Sequence, residues 1–174
     1  MAGREPMLRT AASRRDFGRA AFESSRATRD SILRSDTFVK VTAFIDGAAR
    51  GNPGPAGAGA YFAPAAPGEP AGELFLALGR ATNNEAEYRA LLLALEEARR
   101  RGADEVTIFS DSLLLVEQIK GRFRVKAENL KPLAREALER ARAFPKFSIS
   151  HVRREKNRDA DRLANLGADG SEAA

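Results

Sequence analysis

From Phe38 to Leu166 the apolar residues form three strand-like runs in succession, then take up helical spacing, and thereafter the two patterns alternate. Few folds accept that order. Residues 38–45 are β-branched and aromatic enough for a strand buried on both faces, ending at Asp46. A glycine-rich loop (47–57), a short strand (58–63), a proline-rich turn (64–70) and a third strand (72–80) follow, so the chain opens as an antiparallel meander. Leu91, Leu92, Leu95 and Ala98 then recur at helical spacing between Asn84 and Arg101, and Gly102 stops that helix.

The remaining segments read as a strand at 106–109, a helix carrying Leu115, Val116 and Ile119 and closed by Gly121, a helix at 128–143, a strand at 147–152 and a last helix at 159–166. The order βββαβααβα predicts an α/β chain. Its mixed five-stranded sheet is flanked by helices, with the later strands joined in parallel by helical crossovers.

Composition shifts near Thr37. Residues 1–37 hold 8 basic and 5 acidic groups and few large apolar ones, so they are expected to form a basic extension without fixed structure. With 29 basic and 24 acidic groups in the whole chain, residues 38–174 carry 21 and 19, so the body is almost neutral. The domain is expected over 38–169, with a short tail at 170–174. Cysteine is absent, which excludes disulfide frameworks, thiolate metal sites and cysteine nucleophiles. No apolar run reaches the roughly 18 residues of a spanning helix, and the basic N-terminus lacks the apolar stretch of a secretory signal. A soluble, cytoplasmic protein with no membrane partner is the expectation.

Four acidic residues fall where a random surface would not put them. Asp46 and Asp111 each end an apolar strand, and ligands of parallel α/β sheets bind at such ends. A turn role for Asp46 and a helix N-cap role for Asp111 remain open alternatives. Glu87 lies four residues before Leu91, on the apolar face of its helix, where a carboxylate is costly unless cations or hydrogen bonds satisfy it. Asp161 sits in the first turn of the last helix, a position that also suits plain dipole compensation. Four carboxylates with no cysteine or histidine partner match oxygen-ligated Mg²⁺ rather than zinc. Two such ions about 4 Å apart are what in-line phosphodiester hydrolysis uses.

In their contexts these residues resemble ribonuclease H type 1: Asp46 to Gly59 (DGAARGNPGPAGAG), Thr82 to Tyr88 (TNNEAEY), Ser110-Asp111-Ser112, and Asn157 to Asp161 (NRDAD). The motifs keep that family's order over about residues 38–167, and the Thr82 to Tyr88 motif is similar to that of the compact branch of archaea and many bacteria. The resemblance implies a ribonuclease H-like fold and endonucleolytic cleavage of the RNA strand of RNA/DNA hybrids. It further implies 5′-phosphate and 3′-hydroxyl ends and two Mg²⁺ (or Mn²⁺) ions per active site. It assigns Asp46, Glu87, Asp111 and Asp161 to the catalytic, metal-binding carboxylates, and Asn52, Asn83 and Asn84 to contacts with the nucleic acid. An amide both donates to and accepts from a 2′-hydroxyl, the group that marks RNA. The expected partner is the hybrid, bound by a monomer with no obligatory protein partner.

Three departures stand out. Leu113 occupies a position where many members have glutamine. The connector 121–127 is too short for the basic helix some members use as a substrate handle, although Arg122, Arg124, Lys126 and Lys131 supply charge there. The loop before Asp161 is short, and His151 falls in the alternation Phe147, Ile149, His151, which reads as a structural strand residue; Arg153 and Arg154 are candidates for phosphate contact. Two other functions stay open: a nuclease that also cuts double-stranded RNA, and a catalytically silent nucleic-acid-binding module on the same fold.

Overall fold

A computed structural model describes residues 37–173. The extension expected over 1–37 lies, except for Thr37, outside the described residues. Among the described residues the elements are β1 (Lys40–Ala49), β2 (Gly54–Phe62), β3 (Gly72–Ala81), α1 (Asn83–Arg100), β4 (Glu105–Ser110), α2 (Leu113–Ile119), α3 (Lys131–Arg142), β5 (Lys146–His151) and α4 (Arg158–Glu172), with a 3-10 turn at Arg154–Lys156. Strand order is β3-β2-β1-β4-β5. The first three strands pair antiparallel, while β1–β4 and β4–β5 pair parallel, as the βββαβααβα pattern predicts.

Alternation along the central strands divides the sheet into two faces. Val41, Ala43 and Ile45 of β1 and Val106 and Ile108 of β4 are buried together with Tyr88, Leu91 and Leu95 of α1. The opposite face of β2, at Gly57 and Gly59, lies against the backbone of α4 at Ala160, Ala164 and Ala168. Among the described residues no helix is long and apolar enough to cross a membrane.

Several boundaries differ from the expectation. Asp46 does not end β1: the strand runs on to Ala49, with Gly47, Ala48 and Ala49 paired to Ala58, Gly57 and Ala56. The segment read as a glycine-rich loop is therefore mostly ladder. Likewise β2 starts at Gly54 rather than at residue 58. At the C-terminus α4 continues to Glu172, so residues 170–172, expected in a tail, form its last turn. At Gly47, Gly57 and Gly167 small residues of poor propensity are retained inside these elements because other backbones approach closely, whereas the last turn of α4 is held by Ser171, whose Oγ donates to the Ala56 carbonyl at 2.6 Å. A further difference has no such cause: the helix expected from 128 starts at Lys131, with Pro132 in its first turn.

A methyl group on Gly167 would collide with the Leu76 carbonyl and the Gly57 Cα, whereas one on Gly170 would meet only the Ala77 Cβ at 3.4 Å, an ordinary contact. Alanine gains about 1 kcal/mol over glycine inside a helix, and overpacking costs about 1–3 kcal/mol. Gly167→Ala should therefore lower the melting temperature by several degrees, and Gly170→Ala should raise it slightly. A rise in both variants in thermal denaturation would show that α4 is not pressed onto the sheet.

Candidate active site

The parallel register of β1 with β4 aligns Ile45 with Ser110. The next residue in each segment is an aspartate, Asp46 within β1 and Asp111 just past the end of β4, so the two emerge side by side. Ser112, not Asp111, caps α2: its Oγ accepts from the Leu115 amide at 3.3 Å, which leaves the Asp111 carboxylate unused by the helix. Glu87 arrives from the other layer. Thr82 and Glu85 form a reciprocal capping box that starts α1, with the Thr82 amide donating to Glu85 Oε2 at 2.8 Å. Glu85 is thereby held below the ordinary carboxylate range, the Thr82 backbone bond being the main cause. One turn into the helix, Glu87 is brought onto β1 because Gly47 has no side chain; a Cβ there would strike the Glu87 amide and the Ala86 carbonyl.

The outcome is a tight acidic cluster. One carboxylate oxygen from each of Asp46, Glu87 and Asp111 lies within 4.8 Å of the others. Asp46 and Glu87 are only 6% and 5% exposed. Burial, and after it the charges of Asp111 and Asp161, pushes the Asp46 carboxyl up to about 8 from an ordinary 3.8, although the Gly47 amide donates to its Oδ1 at 3.0 Å. Glu87 is raised as well, first by burial and then by Asp46 and Asp111. Its Oε2 is buried without a hydrogen-bond partner. An unpartnered buried carboxylate oxygen among other carboxylates is costly for the folded chain, and a hard divalent cation relieves that cost. The donor set thus fits Mg²⁺ or Mn²⁺.

Asp161 lines the same cleft but stands outside the three-residue cluster. Its Oδ1 accepts from the Arg154 guanidinium at 3.1 Å. Asn157, a residue of the last motif to which sequence reasoning assigns no separate role, fixes this arrangement. Its buried Nδ2 donates to the Ile45 carbonyl at 2.9 Å, and its own carbonyl accepts from the Asp161 amide at 3.0 Å, so the start of α4 is tied to β1 next to Asp46. Its place four residues before Asp161 at a helix start was the available signal.

The cleft encloses about 800 Å³ and is also lined by Asn83, His151, Arg153 and Arg154. Asn52 and Asn83 come together, the Asn83 backbone N–H donating to Asn52 Oδ1 at 3.1 Å. Asn84 lines an adjacent groove with Leu114, Phe123 and Arg124 instead. His151 ends β5 exposed, with Nε2 at 3.2 Å from the Asp111 carbonyl oxygen. The strand alternation therefore predicts its environment wrongly, because the last residue of a strand has left the layer that covers Ile149.

Residues 44–167 match the family described as reverse transcriptase-like. A bifunctional protein of Mycobacterium tuberculosis is 44% identical over 131 residues, which are 75% of this chain and 36% of that relative, so the chain spans little more than a third of its length. A ribonuclease HI of Halobacterium salinarum is 39% identical over 139 residues, covering 80% of this chain and 69% of that enzyme. Among solved structures, the N-terminal RNase H domain of the mycobacterial protein superposes with a TM-score of 0.73 at 44% identity, covering 78% of this chain and 99% of that one. LC11-RNase H1 in complex with an RNA/DNA hybrid gives a TM-score of 0.69 at 35% identity, covering 76% and 99%.

Proposed function

Because this chain belongs to the ribonuclease H type 1 family, we propose that it is an endonuclease that hydrolyses the RNA strand of RNA/DNA hybrids and leaves 5′-phosphate and 3′-hydroxyl ends. The observation that carries this reading is the cluster of Asp46, Glu87 and Asp111 within 4.8 Å, with Glu87 Oε2 buried and unpartnered. A relative of the same fold has been solved with a hybrid bound.

In this reading Asp46, Glu87, Asp111 and Asp161 hold two Mg²⁺ or Mn²⁺ ions. When bound, such ions would supply activation of a water and stabilisation of the charge that develops at the phosphodiester. The remaining work falls to the chain. Asp46 must give up the carboxyl proton that burial favours, so ligand formation and proton release are linked at that residue. Asn52 and Asn83 present side-chain amides suited to a 2′-hydroxyl, which both donates and accepts, and the Asn83 backbone N–H fixes the Asn52 amide by its bond to Oδ1, leaving Nδ2 free to donate. Asn84 meets the duplex from the adjacent groove, and Arg153 offers a cation to its backbone.

A silent binding module is disfavoured by electrostatics: it gains nothing from aiming clustered carboxylates at a polyanion. A nuclease that also cuts double-stranded RNA is the second reading. It is favoured by Leu113, which is 51% exposed and offers no polar group where many members have glutamine. End-labelled RNA/DNA, RNA/RNA and DNA/DNA duplexes incubated with Mg²⁺, Mn²⁺ or EDTA separate these outcomes. Cation-dependent cutting confined to the RNA strand of the hybrid is expected. An intact hybrid in the presence of folded protein and either cation would overturn the proposal, and cutting of RNA/RNA would widen the substrate class.

A further inference from the structure

The geometry points to Arg154 as a latch that competes with a divalent cation for Asp161, so that the fourth carboxylate joins the site only when a cation displaces the guanidinium. This inference rests on the metal-dependent reading above and concerns how that site is filled.

Its basis is the unequal placement of the four carboxylates. Three of them converge within 4.8 Å, and Asp161 is not among them. Asp161 instead forms an ion pair with Arg154 Nη2 at 3.1 Å. The pair is built into rigid backbone at both ends. Arg154 opens the 3-10 turn, whose Lys156 and Asn157 amides donate to the carbonyls of Arg153 and Arg154, and Asn157 then leads into the helix that carries Asp161. The guanidinium is thus tethered seven residues before its partner, with little chain to rearrange.

Exposure determines whether such a pair is permanent. The Arg154 side chain is 77% exposed and that of Asp161 33% exposed. Ion pairs this open hold weakly, because water and salt compete for both partners. A divalent cation carries twice the charge and binds the carboxylate oxygen directly, so it displaces the guanidinium. Having let go, Arg154 remains tethered nearby and continues to repel that cation. Both effects weaken cation binding most at Asp161, which Arg154 bonds directly, and less at Asp46 and Asp111, which it reaches only through its charge. At low cation concentration the latch stays closed. The nuclease would then switch on at the concentration that opens it, rather than at the one that fills the buried cluster.

Manganese binding to the full chain tests this by isothermal titration calorimetry and by the electron paramagnetic resonance of free Mn²⁺, neither of which depends on turnover. In the wild type we expect a tighter step at the buried cluster and a weaker one that needs Asp161. Arg154→Ala should tighten the weaker step roughly three- to tenfold and the tighter one by a distinctly smaller factor. Arg154→Lys should fall between the two. In a double-mutant cycle the gain should disappear in Asp161→Asn, which separates a latch from a general change in surface charge. Two-step binding indifferent to residue 154, weaker second binding in Arg154→Ala, or a gain that persists in Asp161→Asn would each overturn the latch. Absence of any Mn²⁺ binding by the folded wild type would instead overturn the metal-dependent function, and the latch with it.

Discussion

Asp46→Asn is expected to lower kcat for hybrid cleavage by at least about 10³-fold while making the cation-free protein more stable. The two effects share one cause. Asp46 lies close to both Glu87 and Asp111 with its carboxyl pushed up to about 8, chiefly by burial. The neutral amide keeps the shape, and its oxygen still accepts from the Gly47 amide. It removes the charge that the fold tolerates poorly and that cation binding requires. Steady-state kinetics on a labelled hybrid, with hybrid binding measured alongside, checks the first half. Thermal denaturation in EDTA at pH 8 checks the second, where the variant should melt several degrees above wild type. A variant that keeps more than about a tenth of wild-type kcat would remove Asp46 from the reaction.

The second large effect concerns pH in the absence of cations. The folded state holds a proton on Asp46 up to about pH 8, whereas the unfolded chain releases it near 3.8. Folded protein therefore binds more protons across that window, and stability falls as pH rises through it. Glu87 is shifted in the same direction and adds to the loss. One unit of pKa displacement is worth about 1.4 kcal/mol, so ionising Asp46 costs the fold on the order of 5 kcal/mol. In EDTA the melting temperature should drop by roughly 10–15 °C between pH 5 and pH 9. Glu85, held low by its capping bonds, titrates below that range and acts with the opposite sign. Millimolar Mg²⁺ should restore most of the loss at pH 9 through binding to the native state alone. A melting temperature that is flat with pH in EDTA, or unmoved by Mg²⁺, would show that the acidic cluster carries no unrelieved charge.

Little of this was hidden at the level of elements. Strand and helix periods are local properties, and the five strands stand where their apolar patterns place them. Small residues are where local pattern misleads. Gly47 and Gly167 resemble breaks because they lack propensity, yet each lies inside an element where a neighbouring backbone occupies the space of a side chain. Propensity cannot anticipate such an approach, since the residue that makes it is 40 positions away at Gly47 and 91 or more at Gly167. His151 departs from its pattern for a related reason. Alternation predicts which face a side chain takes, and not whether that face is still covered at the strand's last residue.

By itself the sequence determined the element order, the mixed sheet and the four carboxylates within their motifs, because periodicity and motif spacing are written along the chain. Tertiary structure decided how those carboxylates differ. The register of β1 with β4 sets Asp46 beside Asp111, and Gly47 admits Glu87 to them. Asp161 pairs with Arg154 outside the three, and Asn84 lines a neighbouring groove while Asn83 stays in the cleft. Burial and Coulomb interaction act through space, so the proton on Asp46 and the unpartnered oxygen of Glu87 exist only once three distant segments have packed together.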